Sequence, residues 1–432
     1  MSTQDDLPPA VFLDPWLTAK GDGLKSLSET IVEEVERKIC SGMTQQRRSY
    51  AIARRRLVVE NLTANAVSLV FRPDLEDTRR IAVPTAKSKP TRYDRRDYPQ
   101  GILSDTLQAM EAQGLLLRHP YVFRQRATTI EPSRNLVDDI SRHAVRLDDI
   151  GRAPGAETIW LNARTGKLDY RGHAPIKRRV HYDDTAETVF LRGQMERINA
   201  AANQADFRYN GDRQFPVAMR RMFLLRSETD PHAFNLSGRL FGPWWQGVKS
   251  TQRHFITIGE EPIADLDYSG CFLQLLYIRE TGRLFTGEPY AVPGLEDFRA
   301  GAKEGLLSLL SRSSPMQRLT PELRGLLPEG WTARRLVEAF SEYHPAIARH
   351  FATDVGVELM NTESRVMVEL LLKLETLGIE AQCLHDGIQV GQSTKSKAAE
   401  VMVEVSERLL GAALPVKEKA VREPEVYRAV AA

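Results

Sequence analysis

An apolar run that carries two acids constrains this chain more than any other stretch: Ala264-Asp265-Leu266-Asp267-Tyr268-Ser269-Gly270. Before it, Phe255-Ile256-Thr257-Ile258 is rich in β-branched and aromatic residues, which favour a strand. Gly259-Glu260-Glu261-Pro262 reads as a turn, and Ile263 opens the next strand. After Gly270, residues Phe272, Leu273, Leu275, Leu276 and Ile278 fall at helical spacing. The run therefore predicts a buried strand that delivers a carboxylate and turns into a helix. A buried carboxylate is costly unless it is paired or binds a metal. Asp265 and Asp267 lie two apart, so on a strand they face the same side.

A partner for that segment occurs much later, in Cys383-Leu384-His385-Asp386-Gly387-Ile388-Gln389-Val390. Residues 379–384 and 388–390 read as short strands, and His-Asp-Gly reads as the tight turn between them. Asp386 is thus expected at a hairpin tip. Two carboxylates converging from different strands suit a two-metal phosphoryl-transfer site. Mg²⁺ fits such a site because it takes few protein carboxylates and leaves room for substrate phosphates.

At 432 residues the chain is long enough for two or three domains. Its net charge of +2 says little, but the distribution of charge says more. Arg47, Arg48, Arg54, Arg55 and Arg56 fall in a stretch without acids, Thr44 to Val59. Lys87, Lys89, Arg92, Arg95 and Arg96 follow, and Arg171, Lys177, Arg178 and Arg179 make a third cluster. Such clusters are either phosphate-binding surfaces or solvated faces. The three cysteines, Cys40, Cys271 and Cys383, lack metal-ligand spacing, so a reducing cytoplasm is expected. No secretory leader is read at the N-terminus, no apolar run reaches membrane-spanning length, and no membrane partner is expected.

Residues 1–40 read as an arm followed by an amphipathic helix over 24–40. Residues 44–65 read as a second helix with a basic face. A helix from Ile102 to Gly114, then short strands over 115–124 and 125–130, resembles the last helix and wing of a winged-helix module spanning 41–150. Arg54 and Arg55, with Arg124 and Arg126 on the wing, are its expected DNA contacts. Residues 151–186 read as a linker with a short hairpin around Thr165-Gly166, and 187–201 as a helix.

From about residue 230 several motifs follow in order: Gly238-Arg239-Leu240 with Gln246, Asp267-Tyr268-Ser269, Arg299 with Lys303, and His385-Asp386. The ordered set resembles the single-subunit right-hand polymerases related to bacterial DNA polymerase I and the phage RNA polymerases. The resemblance covers roughly residues 187–420. It implies an α+β fold with an antiparallel palm sheet, minimal fingers and a helical thumb. The thumb-like region is expected over 187–250, and palm and fingers over 251–432. It also implies that Asp267 and Asp386 hold two Mg²⁺ ions, with Mn²⁺ as a substitute. Arg299 and Lys303, four apart and on one helix face, would grip a nucleoside triphosphate. Tyr268 and Phe272 would border the nucleotide. Arg239, Gln246, His385, Glu363 and Ser364 would touch primed DNA, and Trp244 and Trp245 would stack on bases or pack in the core. Asp265 becomes a supporting group for Asp267.

Departures from the family pattern bear on selectivity. Phe272 stands where DNA-polymerising relatives carry a Glu that excludes the ribose 2′-hydroxyl. Leu307 and Ser311 stand where the family places aromatics, and Gly387 where it carries Glu or Ser. Nothing before residue 187 reads as a proofreading exonuclease. The expected activity is a compact, monomeric DNA-directed DNA polymerase acting on primed DNA with nucleoside triphosphates. The alternatives are an RNA polymerase or primase-like enzyme, a degenerate DNA-binding protein, and a metal-dependent nuclease.

Overall fold

Alternation along Glu261–Tyr268 decides how the C-terminal half is built. Ala264, Leu266 and Tyr268, two apart, share one buried face. The odd-numbered acids share the opposite face, as the period of two requires. The computed structural model describes residues 10–40, 49–72, 78, 80–85, 89–122, 127–168, 175–214 and 216–421.

Glu261–Tyr268 is the central strand of an antiparallel sheet. Gly387–Gly391 pairs along one side, with Asp267 opposite Gly387 and Asp265 opposite Gln389. On the other side lie Ile256–Ile258 at one end and Val416–Lys419 at the other. Ala381–Cys383 pairs Gly387–Gly391 as the expected hairpin. The Tyr268 hydroxyl donates to the Met402 carbonyl at 2.8 Å, which ties the apolar face to the helix Lys395–Leu410. The long helix Gly356–Thr376 packs against that helix, against Cys271–Thr281 and against Ala186–Gln204.

Two glycines allow close approaches here. A Cβ on Gly387 would lie 2.3 Å from the Leu266 carbonyl oxygen and 3.1 Å from Asp267 Cα. Gly238 has φ +87°, and its Cβ would meet Phe223, Ser364 and Arg221.

The N-terminal part holds helices Asp22–Cys40, Ser49–Phe71, Leu103–Ala112 and Arg134–Arg142. Beside them is a four-stranded sheet of Ala10–Phe12, Arg80–Ala82, Thr129–Pro132 and Leu116–His119. The expected helix-then-two-strands unit is present as Leu103–Ala112, Leu116–His119 and Thr129–Pro132, the strands antiparallel. Buried amides fix the second helix. Asn61 Nδ2 donates to the Leu17 carbonyl at 2.8 Å and Asn65 Nδ2 to the Asp14 carbonyl at 2.9 Å. Arg124 and Arg126 lie outside the described residues.

Two regional expectations change. Residues 151–186 are not a simple linker. Ile159–Leu168 pairs antiparallel with Pro175–Arg179 and also runs parallel to Arg220–Leu225 inside a second four-stranded sheet. Ile159, Leu161 and Ala163 are buried there, which a solvated linker would not achieve. The region 187–250 is not wholly helical either: after Ala186–Gln204 come four strands, Phe207–Tyr209, Asp212–Arg213, Arg220–Leu225 and Ser237–Phe241. Among the described residues no helix is long and apolar enough to cross a membrane.

Gly387→Ala is expected to destabilise the protein by about 1–3 kcal/mol, because the added methyl must displace backbone rather than a flexible side chain. Urea unfolding at neutral pH measures it, and an unchanged midpoint contradicts the close approach.

Candidate functional site

Asp267 ends the central strand, and Asp386 sits in the turn that Gly387 closes. The Tyr268 amide donates to the Asp386 carbonyl at 2.9 Å, so sheet pairing itself holds the turn beside the strand end. The two carboxyls are close enough for the Asp386 charge to act on Asp267. Burial first, and then the Asp386 charge, raises the Asp267 carboxyl above its ordinary value, while Lys419 opposes the shift. Lys419 Nζ lies 2.9 Å from Asp267 Oδ2. Asp267 Oδ1 is buried and has no hydrogen-bond partner.

A third carboxylate stands close by. Glu363, on the Gly356–Thr376 helix, is 2% exposed, so its charge needs a partner. Arg239 supplies it through Nε and Nη2, the latter 2.9 Å from Oε1. The Glu363 carboxyl is raised to about 7: burial pushes it up, Arg239 pulls it down, and the Asp386 and Asp267 charges push it up. The same burial, with these carboxylates around it, drives the Cys271 thiol far up. His385 is held low by burial and by Arg239. Its ring meets Phe241 edge-on at 5.1 Å, and its Nδ1 is buried without a partner.

Arg299 and Lys303 occupy the first two turns of the helix Arg299–Ser311, both exposed. Arg299 lies 3.6 Å from Glu288 and stacks over the Tyr290 ring at 4.9 Å. The Tyr290 hydroxyl is raised by burial, lowered by Arg299 and raised by Glu288, Asp386 and Asp267, so it feels both the basic helix and the carboxylates.

Several expected contacts are engaged otherwise. Arg239 is committed to Glu363 through Nε and Nη2 and lies over the Phe272 ring at 5.2 Å, so most of its donors are already engaged. Phe272 is 8% exposed and Tyr268 1%; each is core packing rather than an open nucleotide border. Trp244 and Trp245 are buried, and Trp245 Nε1 donates to the Cys383 carbonyl at 2.8 Å. No base can reach their faces. Gln246 Nε2 donates to the Leu240 carbonyl at 3.1 Å. Ser364 is buried and accepts from Arg221 Nη2 at 3.1 Å. Asp265 pairs with Arg253 at 3.0 Å and accepts from Gln389 Nε2, so it answers to those groups rather than to Asp267. In the N-terminal part Arg55 is buried against Glu36 at 2.7 Å, which withdraws it from any surface, whereas Arg54 stays partly exposed beside Tyr50.

Sequence reasoning missed Tyr290 and Lys419. Tyr290 sits in a Pro- and Gly-punctuated stretch with no periodicity to mark it. Lys419 belongs to a short alternating segment, Val416-Lys417-Glu418-Lys419, whose pairing with the acidic strand is visible only in the fold.

The residues fit a hard divalent cation. Among the described residues no group of three or more carboxylate, thiol or imidazole side chains could hold a metal, so an ion here would have two carboxylates, Asp267 and Asp386. One of their oxygens is buried and unpartnered. Mg²⁺ tolerates so few protein ligands when substrate oxygens complete its shell.

No family model and no curated protein matches the chain. Among solved structures it is similar to the POL domain of Pol1 from M. smegmatis, solved in complex with DNA primer-template and dNTP. The TM-score is 0.27 and the identity 11%, over 93% of this chain and 66% of that one.

A carboxyl raised in the folded state binds its proton more readily folded than unfolded. Its charge therefore costs stability as pH climbs through the raised value, and costs nothing below the ordinary carboxylate value of about 4. Asp267→Asn is accordingly expected to stabilise the protein by about 1–2 kcal/mol at pH 7.5, net of the lost Lys419 pair, with no gain below about pH 4. Urea unfolding at the two pH values checks this; a variant less stable at pH 7.5 shows that Lys419 outweighs burial and Asp386.

Proposed function

We propose that this chain is a template-dependent nucleotidyltransferase, and within that class a compact DNA-directed DNA polymerase. The observation that carries the reading is the half-buried Asp267–Asp386 pair at the end of the central strand, with one buried Asp267 carboxylate oxygen unpartnered. Burying like charges together is unfavourable, so the arrangement calls for a cation that the protein does not itself fully supply. Asp267 and Asp386 would hold Mg²⁺ ions, for which Mn²⁺ could substitute; bound there, they supply charge stabilisation for the attacking and leaving oxygens of an in-line displacement.

The remaining roles belong to the chain. Arg299 and Lys303, exposed on one face, bind the triphosphate and neutralise the departing pyrophosphate. Tyr290 steadies Arg299 from beneath. Glu363, itself buried, holds the partly exposed Arg239 guanidinium beside the carboxylates. The primer 3′-hydroxyl attacks the α-phosphate and pyrophosphate leaves. Positioning and electrostatics account for most of such catalysis.

Primer extension tests the proposal. Asp267→Asn and Asp386→Asn are each expected to lower extension by about 10³-fold or more while primed-DNA binding persists. A variant that extends at the wild-type rate overturns it. Deoxy- and ribonucleoside triphosphates supplied separately fix the substrate, and a preference for ribonucleotides moves the reading to an RNA polymerase or primase-like enzyme.

A further inference from the structure

The four-stranded sheet of Ser237–Phe241, Arg220–Leu225, Ile159–Leu168 and Pro175–Arg179 has two unlike faces. One is buried: Arg221, Phe223 and Leu225 face the core with Leu161, Ala163 and Leu240. The other carries Lys177, Arg179, Arg220, Arg164 and Arg239 around Trp160. Register places them together, since Arg164 opposes Lys177 and Met222 opposes both Trp160 and Arg239.

Two of these cations are neutralised, Arg164 by Asp354 at 2.6 Å and Arg239 by Glu363. Among the described residues Lys177, Arg179 and Arg220 have no ion pair. Comparable arginines elsewhere are matched: Arg92 by Glu157 and Asp184, Arg226 by Asp354 and Glu358. Arg179 lies 3.7 Å and Arg220 4.1 Å from the Trp160 ring centre, arriving from the strands on either side. A guanidinium stacked on a ring keeps its in-plane N–H donors for other partners. Arg220 Nε is buried and unpartnered. Burial lowers the Arg220 guanidinium to about 10, the Arg179 and Arg152 charges lower it too, and Asp14 alone opposes them. Like charges held together with unfilled donors are the complement of an anion.

The face continues into the candidate site. Arg220 opposes Phe241 in register, and Phe241 meets His385, the neighbour of Asp386. Three strand spacings separate Phe241 from Arg179, roughly 14 Å, the rise of about four base pairs.

We propose that this sheet face binds the sugar–phosphate backbone of the nucleic-acid duplex adjoining the carboxylate pair, with Lys177, Arg179 and Arg220 as phosphate contacts. The surface rests on the polymerase reading only for the identity of that duplex as primed template. Because Trp160 is already flanked by guanidiniums, contact is through phosphate rather than stacked bases.

Fluorescence anisotropy with a primed DNA duplex over a salt series tests it. Arg179→Glu is compared with Arg178→Glu, which changes net charge equally but lies on the opposite face beside Glu228. Arg179→Glu is expected to weaken binding about tenfold and to remove about one phosphate contact from the salt slope, with Arg178→Glu within about twofold of wild type. If Arg179→Glu disturbs folding, Lys177→Glu, at an exposed position, carries the same expectation. Equal losses for the 178 and 179 variants overturn the proposal. So does a loss confined to single-stranded DNA, or a wild-type protein that does not bind the duplex. A wild type that binds through Arg179 yet extends no primer sinks the polymerase and leaves the surface. One that extends primers while Arg179→Glu binds normally does the reverse.

Discussion

The close approach of the Gly387 turn to the end of the acidic strand is the constraint on which the rest of this half depends. Backbone meets backbone there at a distance no side chain would tolerate. Asp386 is consequently held against Asp267 whatever their charges prefer. Sheet hydrogen bonds and the apolar face over the Lys395–Leu410 helix supply the energy that keeps them so.

The surroundings manage the resulting negative potential in two ways. Arg239 pairs with the buried Glu363, whose charge would be stranded if the arginine were lost. Lys419 is half exposed, so its attraction to Asp267 is softened by solvent. The permanent pair shapes the interior, whereas the exposed one leaves Asp267 Oδ1 unfilled. Strain of this kind at a functional site is retained only when surrounding structure over-determines it.

Much of the site was legible because its signals are local. The Ile263–Tyr268 alternation, the His-Asp-Gly turn and the four-residue spacing of Arg299 and Lys303 each state a geometry within a few residues. The helices over 24–40 and 187–201 were legible for the same reason, from apolar periodicity. What failed was anything decided by distant partners. Arg239 and Arg55 read as exposed cations, yet each is spoken for by a glutamate elsewhere in the chain. Trp244 and Trp245 read as base-stacking or core residues and Tyr268 as a nucleotide border, but the fold buries all three and satisfies Trp245 and Tyr268 with backbone carbonyls. Residues 151–186 looked like a linker because glycine and charge at the hairpin masked the buried alternation of Ile159, Leu161 and Ala163.

The strand Val416–Lys419 has a consequence for the order of folding. It covers the second edge of the acidic strand, with Lys395 and Glu418 pairing to pin it to the preceding helix. A ribosome releases this segment well after the acidic strand and its hairpin partner, and domains begin to fold as they emerge. Until it docks, Asp265 to Tyr268 present unpaired backbone on one side, the kind of edge that recruits strands from other chains. Charge along an open strand discourages such pairing, so the acids on that edge guard the nascent chain until Val416–Lys419 docks.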